Sequence, residues 1–319
     1  IIFDFSKAFD KMCQKNLLIK LDHYSIRSST FKWIENVLLK RTQSVVVSGT
    51  KSSLSPVTSG VPQGTILGPL MFLIYINDIP LNIKSNINLF ADDSYLYRTI
   101  KNISDTHILQ QDLEKLSYWE KEWSMSFNID KCIALRVTYK YKFIDCEYSL
   151  HNVPLETVDE VKYLGVVIDK KLSWKSHIAK TALKANRTRQ FLQRNLSSCS
   201  MEVKKQCYKT FVRPIMEYAC TVWDPVNEIY QQQQLNSVQN KAARWITNNW
   251  RRGSSITKIL QNLELDDLSK RKQTLRLKMM HNIYYENKFI PYSIKPSRAR
   301  YKDIRFKAMY GRIEKYIHS

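Results

Sequence analysis

Acidic residues are scarce in this sequence, and no pair of cysteines is spaced to bind metal. Asp and Glu number 29 against 50 Lys and Arg in 319 residues, a formal charge of +21. Such an excess points to a polyanionic partner more readily than to a neutral metabolite, with nucleic acid first. The six cysteines (13, 132, 146, 199, 207 and 220) form no CxxC and no Cys/His cluster. That excludes a zinc knuckle of ordinary spacing and fits a reduced intracellular protein, nuclear or cytoplasmic. Long apolar runs are also lacking. The longest, Pro69 to Ile76, is too short to cross a bilayer and soon meets Asn77 and Asp78, so no membrane partner is expected. No internal repeat is visible, and the glutamine patch 231–234 is too short to carry meaning. The first residue is Ile1 and no basic-then-apolar leader is present, so the chain reads as an internal piece of a longer protein.

An apolar content of 44% is enough to bury a sizeable core, here expected as two linked subdomains. Charge divides unevenly between them. Residues 1–150 carry 18 basic and 15 acidic side chains (+3), and residues 151–319 carry 32 and 14 (+18). The second half therefore reads as the polyanion-holding half, although scattered Lys on solvated helix faces gives the same count without binding anything.

The opening IIFDFSKAFD reads as a strand ending in a turn. Leu17, Leu18 and Leu21, then Phe31, Ile34, Val37 and Leu38, predict helices at Lys15–His23 and Ser28–Lys40. Gln43 to Gly49 reads as a strand. The stretch SGVPQGTILGP holds three Gly and two Pro in eleven residues and must turn sharply before an apolar helix at Leu70–Ile79. INLFADDSYLYRTI then reads as a hairpin with Asp92 and Asp93 at or near its tip. A helix is expected over Ser104–Ser124, capped by Ser104 with Asp105 favouring its N-terminal dipole. Strands are expected at Cys132–Val137, Glu147–Leu150 and Val161–Ile168. Beyond about residue 172 the pattern is almost wholly helical, with helices expected at 175–196, 201–218, 230–247 and 267–287, then a basic tail from Pro291.

Asp4, at the end of an apolar strand, and the adjacent Asp92 and Asp93 are the acids that matter most. Carboxylates at strand ends and turn tips can converge on one point, as hard Mg²⁺ ions require of oxygen ligands. Two such ions, roughly 3.5 to 4 Å apart, can activate a 3′-hydroxyl and stabilise a leaving oxygen in phosphoryl transfer. Either element alone is better read as ordinary turn or cap chemistry. Their order around a Gly/Pro loop is what favours a site.

FDFSKAFD, SGVPQGTILGPLMFLIYINDIP and FADD together resemble motifs A, B and C of reverse transcriptases from non-LTR, LINE-type retrotransposons. RTQSVVVSG, WSMSFNIDKC (motif D) and VKYLGVVIDKKLSWKSHI (motif E) extend the likeness. YKTFVRPIMEYACTVWDP and LNSVQNKAARWI resemble the downstream region of jockey-type elements. Group II intron maturases usually have Tyr where Phe90 stands, and viral RNA-dependent polymerases usually have Gly where Ala91 stands.

The resemblance implies an α+β right-hand polymerase palm with an antiparallel sheet over residues 1–172, a basic all-α thumb and extension over 173–290, and a basic tail over 291–319. The fingers subdomain would be missing, since nothing precedes motif A. Asp4 and Asp92 match the family's principal metal ligands, with the backbone carbonyl of Phe5 completing the set and Asp93 as the second motif C aspartate. Two Mg²⁺ ions are implied, with Mn²⁺ as a substitute. Phe9 stands where the family places an aromatic gate against the ribose 2′-hydroxyl, and Gln63 and Gly64 where its motif B loop meets the incoming nucleotide. Lys131 matches a candidate proton donor to pyrophosphate, and Tyr163, Leu164 and Gly165 match the primer grip. The implied partners are an RNA template, a DNA primer and dNTPs, and the implied reaction is RNA-templated DNA synthesis. Without fingers the piece alone is expected to be inactive or weakly active. The competing expectations are a truncated relic that keeps only nucleic-acid binding, and a metal-dependent nuclease, which would leave the PQG loop unexplained.

Overall fold

The computed structural model describes residues 1–285 apart from Asn227 and Arg252. It divides into two compact units: Ile1–Gly165 with Asp169–Leu172, and Val166–Ile168 with the chain from Ser173 onward.

The first unit is α+β. Its main sheet contains β1 (Ile2–Asp4), β2 (Asn86–Phe90), β3 (Asp93–Tyr97), β4 (Ile133–Leu135) and β5 (Glu156–Val158), in the order β5-β4-β1-β3-β2. Pairings are antiparallel except β4 with β5, which is parallel, so the sheet is antiparallel-rich rather than purely antiparallel. Alternation along the strands sets its two faces. Phe3, Phe5, Ser94 and Leu96 are buried, whereas Asp4, Asp93 and Tyr95 are partly exposed. On the buried side the core gathers Met12, Leu17 and Leu21, Phe72 and Tyr75, and Leu113 and Leu116. These come from the turn after β1 and from helices α1 (Gln14–His23), α2 (Ser28–Leu39), α3 (Leu67–Ile76) and α4 (Ile103–Trp123).

The apolar helix expected at Leu70–Ile79 lies three residues earlier, at Leu67–Ile76, and three further features of this unit depart from the sequence expectations. First, Gln43–Gly49 is not one strand. Val46–Val47 pairs with Thr50–Lys51 around Ser48 (φ 50°) and Gly49 (φ 84°), a two-residue turn with both residues left-handed. Val45, Val46 and Val47 are all exposed, so nothing apolar holds a longer strand. Second, α4 starts one residue earlier, with Asn102 rather than Ser104 as its cap. Asn102 accepts from the Asp105 N–H at 3.1 Å while the Asp105 carboxylate accepts from the Asn102 N–H at 3.4 Å. Third, Val161–Ile168 is broken at Leu164 (φ 44°) and Gly165 (φ 79°), leaving Glu160–Tyr163 and Val166–Asp169.

One buried lysine ties three helices of this unit together. Lys20 on α1 is 4% exposed, and its Nζ lies 2.6 Å from Asp78 Oδ1 and 3.6 Å from the Trp123 ring centroid. It also donates to the Tyr75 carbonyl at the end of α3. Burial pushes its pKa down, opposed by Asp78, so truncating Asp78 would strand a buried cation.

The second unit is helical apart from Val166–Ile168. Its main helices are α5 (Lys175–Asn195), α6 (Met201–Cys207), α7 (Ile229–Thr247) and α8 (Leu268–Tyr285). The helix expected over 201–218 is interrupted by a π-helical segment, Tyr208–Val212, just before Pro214. Proline has no N–H to offer the preceding turn, which fits a wider turn there. The core is separate and includes Ile178, Tyr208, Met216, Trp223, Leu235 and Trp245. Acids here are neutralised in pairs. Asp224 contacts Lys272 Nζ at 3.3 Å and the Arg276 guanidinium, and Glu217 receives a fork of bonds from Arg271. His177, buried edge-on to Trp223 at 4.9 Å, accepts through Nδ1 from the Val167 N–H. Burial, then the charge of Lys180, lowers its pKa. The basic tail 291–319 lies outside the described residues.

Candidate active site

The register of β1 against β3 brings the acids together. Ile1 and Leu96 exchange backbone bonds in both directions, each 2.8 Å. Bonded and non-bonded pairs alternate along an antiparallel ladder, which makes Asp4 opposite Asp93 a non-bonded pair. In such a pair the Cα atoms are about 4.5 Å apart and the side chains approach closely. Two residues 89 positions apart in sequence thus present carboxylates side by side at one end of the sheet. Asp92 precedes this pair in the two-residue hairpin loop Ala91–Asp92, between Phe90 and Asp93. Ala91 takes φ 51° there, a left-handed conformation unusual for a residue with a side chain.

Like charges directly opposite one another destabilise a sheet, and the electrostatics register this. The Asp93 carboxyl is pushed above the ordinary carboxylate range by burial, then by the charges of Asp92 and Asp4. One cation relieves the cluster: Lys131 Nζ lies 3.1 Å from Asp4 Oδ2.

Phe5 is buried between the rings of Phe72, Trp119 and Phe127. Bonds from Ser6 N–H to Ser126 O and from Asn128 N–H to Asp4 O flank it, so Phe5 faces Phe127 without exchanging bonds with it. Its carbonyl is therefore turned away from residues 126–128. Buried Glu120 holds that segment by accepting from the Phe127 N–H.

The Gly/Pro loop docks on the turn after β1. Gly60 N–H donates to Met12 O, Val61 N–H to Phe9 O and Ser59 Oγ to Asp10 O, at 2.8 to 2.9 Å. A Cβ on Gly60 would sit 2.6 Å from Phe9 O and 2.7 Å from Asp10 O, so only glycine permits this approach. Buried Gln14 donates to the Gly60 carbonyl at 3.1 Å, and Gln63 Nε2 donates to Asp10 Oδ1 at 2.7 Å. Gly64 (φ 76°) faces open space. Phe9 is partly buried, its ring tilted against Phe72 at 4.9 Å. Tyr163 lies edge-on to Tyr95 at 5.1 Å, and burial with the nearby charge of Asp93 raises its hydroxyl to about 12. Leu164 and Gly165 form the turn that follows.

Asp4, Asp92, Asp93, Lys131 and Tyr163 are thus gathered at one end of the sheet, and Phe9 and Gln63 sit where the loop meets the turn after β1. Sequence reasoning passed over Asp10, Gln14, Glu120 and Tyr95. Gly60 carried a signal, since it belongs to the glycine-rich loop, whereas Asp10 and Gln14 differ from surface residues only through partners about fifty positions away.

A model of the reverse transcriptase (RNA-dependent DNA polymerase) family matches residues 1–168, more than half of the 319. The chain belongs to the reverse transcriptase family. Within it, the chain is 28% identical over 258 residues to a probable RNA-directed DNA polymerase from transposon X-element of Drosophila melanogaster, covering 77% of this chain and 28% of that protein. It is 29% and 31% identical to the RNA-directed DNA polymerases from mobile element jockey of Drosophila melanogaster and Drosophila funebris, each covering 69% of this chain and 25% of theirs. The reverse transcriptase chain therefore spans about a quarter of the length of these relatives. Its relatives are polymerases of jockey-like non-LTR elements, and no helix among the described residues is long and apolar enough to cross a membrane.

Among the described residues, no three His, Cys, Asp or Glu side chains form a ready metal cage. The donor set nevertheless suits Mg²⁺, which binds through one or two carboxylates together with substrate phosphates rather than in all-protein cages. Asp4 and Asp92, with Asp93 and the Phe5 carbonyl, are hard oxygen donors of that kind.

Proposed function

We propose that this chain carries the palm, and in its second unit the thumb, of an RNA-directed DNA polymerase that adds dNTPs to a DNA primer 3′ end on an RNA template. The observation that supports this most is Asp4 set directly opposite Asp93 with Asp92 beside it, a repulsive arrangement with no structural benefit. Two Mg²⁺ ions, when bound, would favour the ionised 3′-hydroxyl and neutralise charge on the leaving pyrophosphate oxygen. Asp4, Asp92 and the Phe5 carbonyl would hold them, with Asp93 completing the negative field. Lys131 would pass from Asp4 to the departing pyrophosphate, as a positioned cation and proton donor. Gln63 and the loop 59–64, fixed by Asp10 and Gln14, would form one wall of the nucleotide site, with Phe9 beneath the sugar. Tyr163, Leu164 and Gly165 would grip the primer end. Residues 1–319 alone should bind primer-template yet extend it poorly, because a dNTP misplaced by about an ångström reacts on the order of a hundredfold more slowly.

The test uses a chain extended upstream to the length of its relatives. Asp92→Asn should abolish primer extension, about a thousandfold or more, while primer-template affinity stays within threefold. Equal loss of extension and binding would mean the substitution had broken the fold, and retained extension would end the catalytic assignment. In the same assay, Phe9→Val should raise rNTP use relative to dNTP by about tenfold or more. An unchanged ratio would return Phe9 to the core against Phe72.

A further inference from the structure

At the other end of β1, away from the acids, lies a second surface with a different composition. Ile1, Leu96 and Arg98 help line a cavity of about 690 Å³, large enough for a nucleotide. Ile1 is three residues from Asp4, so this site is roughly 10 Å along the strand from the carboxylates.

Beside it runs the segment Tyr139-Lys140-Tyr141-Lys142-Phe143, with Lys140, Lys142 and Phe143 contributing to the cavity wall. Its base is anchored. Arg136 bonds Asp145 at 2.5 Å and lies 4.8 Å from the Phe143 ring, and Thr138 N–H donates to Lys170 O at 3.0 Å. Its tip is not buried: Tyr139 is 74% exposed, Tyr141 fully exposed and Phe143 47% exposed. Asp105, Asp145 and Asp159 are engaged by Arg98, Arg136 and Lys170, and among the described residues the ammonium groups of Lys101, Lys140 and Lys142 form no ion pair. Phe143 rests on Arg136, whereas the rings of Tyr139 and Tyr141 lie mostly in solvent.

We infer that the 139–143 loop and its adjoining cavity form a binding site for single-stranded nucleic acid, distinct from the catalytic end of the sheet. Alternating rings and ammoniums are the two parts such sites need: π-faces on which unpaired bases stack, and cations that follow the phosphate backbone. A duplex keeps its bases stacked inside and offers the rings nothing, so the site should select single strands. It goes beyond the polymerase reading and does not depend on it.

The experiment measures binding of a labelled twelve-nucleotide oligo(U), and of an RNA-DNA duplex as reference, to residues 1–319 by fluorescence anisotropy. Tyr141→Ala should weaken oligo(U) binding about tenfold, as expected for one lost stacked base, and leave duplex binding within twofold. Tyr141→Phe should bind as the parent does, because stacking needs the ring and not the hydroxyl. Lys140→Ala with Lys142→Ala should flatten the log-log salt dependence by about 1.4, at roughly 0.7 per phosphate contact on a single strand. Unchanged oligo(U) binding in Tyr141→Ala, failure of Tyr141→Phe, or equal loss on duplex would each overturn the proposal. Oligo(U) binding is read without primer, dNTP or divalent cation, so a failed polymerase assignment would leave this result standing, and the reverse.

Discussion

The acids at the end of the first unit's sheet and those in the core of the helical unit are treated in opposite ways. At the first, Asp4, Asp92 and Asp93 crowd together, partly exposed, and among the described residues only Lys131 bridges to them. At the second, Asp224 and Glu217 are largely buried, and each is met by Lys or Arg at bonding distance. Carboxylates that repel one another weaken the fold and mark a candidate site, whereas carboxylates matched by cations hold helices in place. A local excess of negative charge inside a chain of net charge +21 is therefore more informative than the net charge itself.

The sharpest way to break this contrast is to delete one acid from each unit. Asp224→Ala leaves Lys272, 3% exposed at its side chain, without its counter-charge, and should cost about 3 to 5 kcal/mol by denaturant titration of the helical signal. Asp4→Ala should cost far less. Equal losses would mean that both acids serve stability and that the comparison fails.

A second test sets the charge of the halves against each other. Lys184 and Arg187 are exposed and share a face of α5. Reversing both to Glu should weaken primer-template binding and flatten its log-log salt slope by about two, at roughly 0.9 per phosphate contact. Reversing two exposed lysines of the first unit, Lys15 and Lys32, should change the slope by less than half a unit. Similar slopes for the two pairs would take polyanion binding away from the helical unit.

The smallest expected effect concerns Asp93. Its pKa is raised on folding, so the folded state binds this proton more readily than the unfolded state. Stability is therefore lost as pH rises through the folded value, and the cost is absent below the ordinary carboxylate range. Asp93→Asn should stabilise the protein without added divalent cation near pH 7 by on the order of 0.5 kcal/mol, a shift of a degree or two in melting temperature. That gain should vanish in acid. A destabilised variant at pH 7 would show that Asp93 has a structural partner.

Much of this was legible locally. Helical spacing marked Lys15–His23, Ser28–Lys40 and three of the four helices expected after residue 172 to within a few residues, because an amphipathic stripe depends only on residues three and four apart. The hairpin carrying Asp92 and Asp93 was legible for the same reason, since polar residues between two apolar alternating runs are a local signal. Less visible were the positions where a partner lies far away. Ser104 looked like a cap until Asn102 took the bonds, and Gln43–Gly49 looked like one strand until no apolar surface met it.

The sequence alone determined the family and the order of the motifs, and it singled out Asp4, Asp92 and Asp93, because these are carried by residue type and spacing. Only the tertiary structure decided that Asp4 stands opposite Asp93 rather than one residue out of step. Register along a strand has a period of two, and a slip of one position would turn either carboxylate to the other face of the sheet. It likewise decided that Gly60 must be glycine, that Gln63 rests on Asp10, and that Asp224 is neutralised by a helix some fifty residues downstream. Those facts depend on close approach between distant segments. Burial of the common core enforces that approach, and no stretch of the chain encodes it by itself.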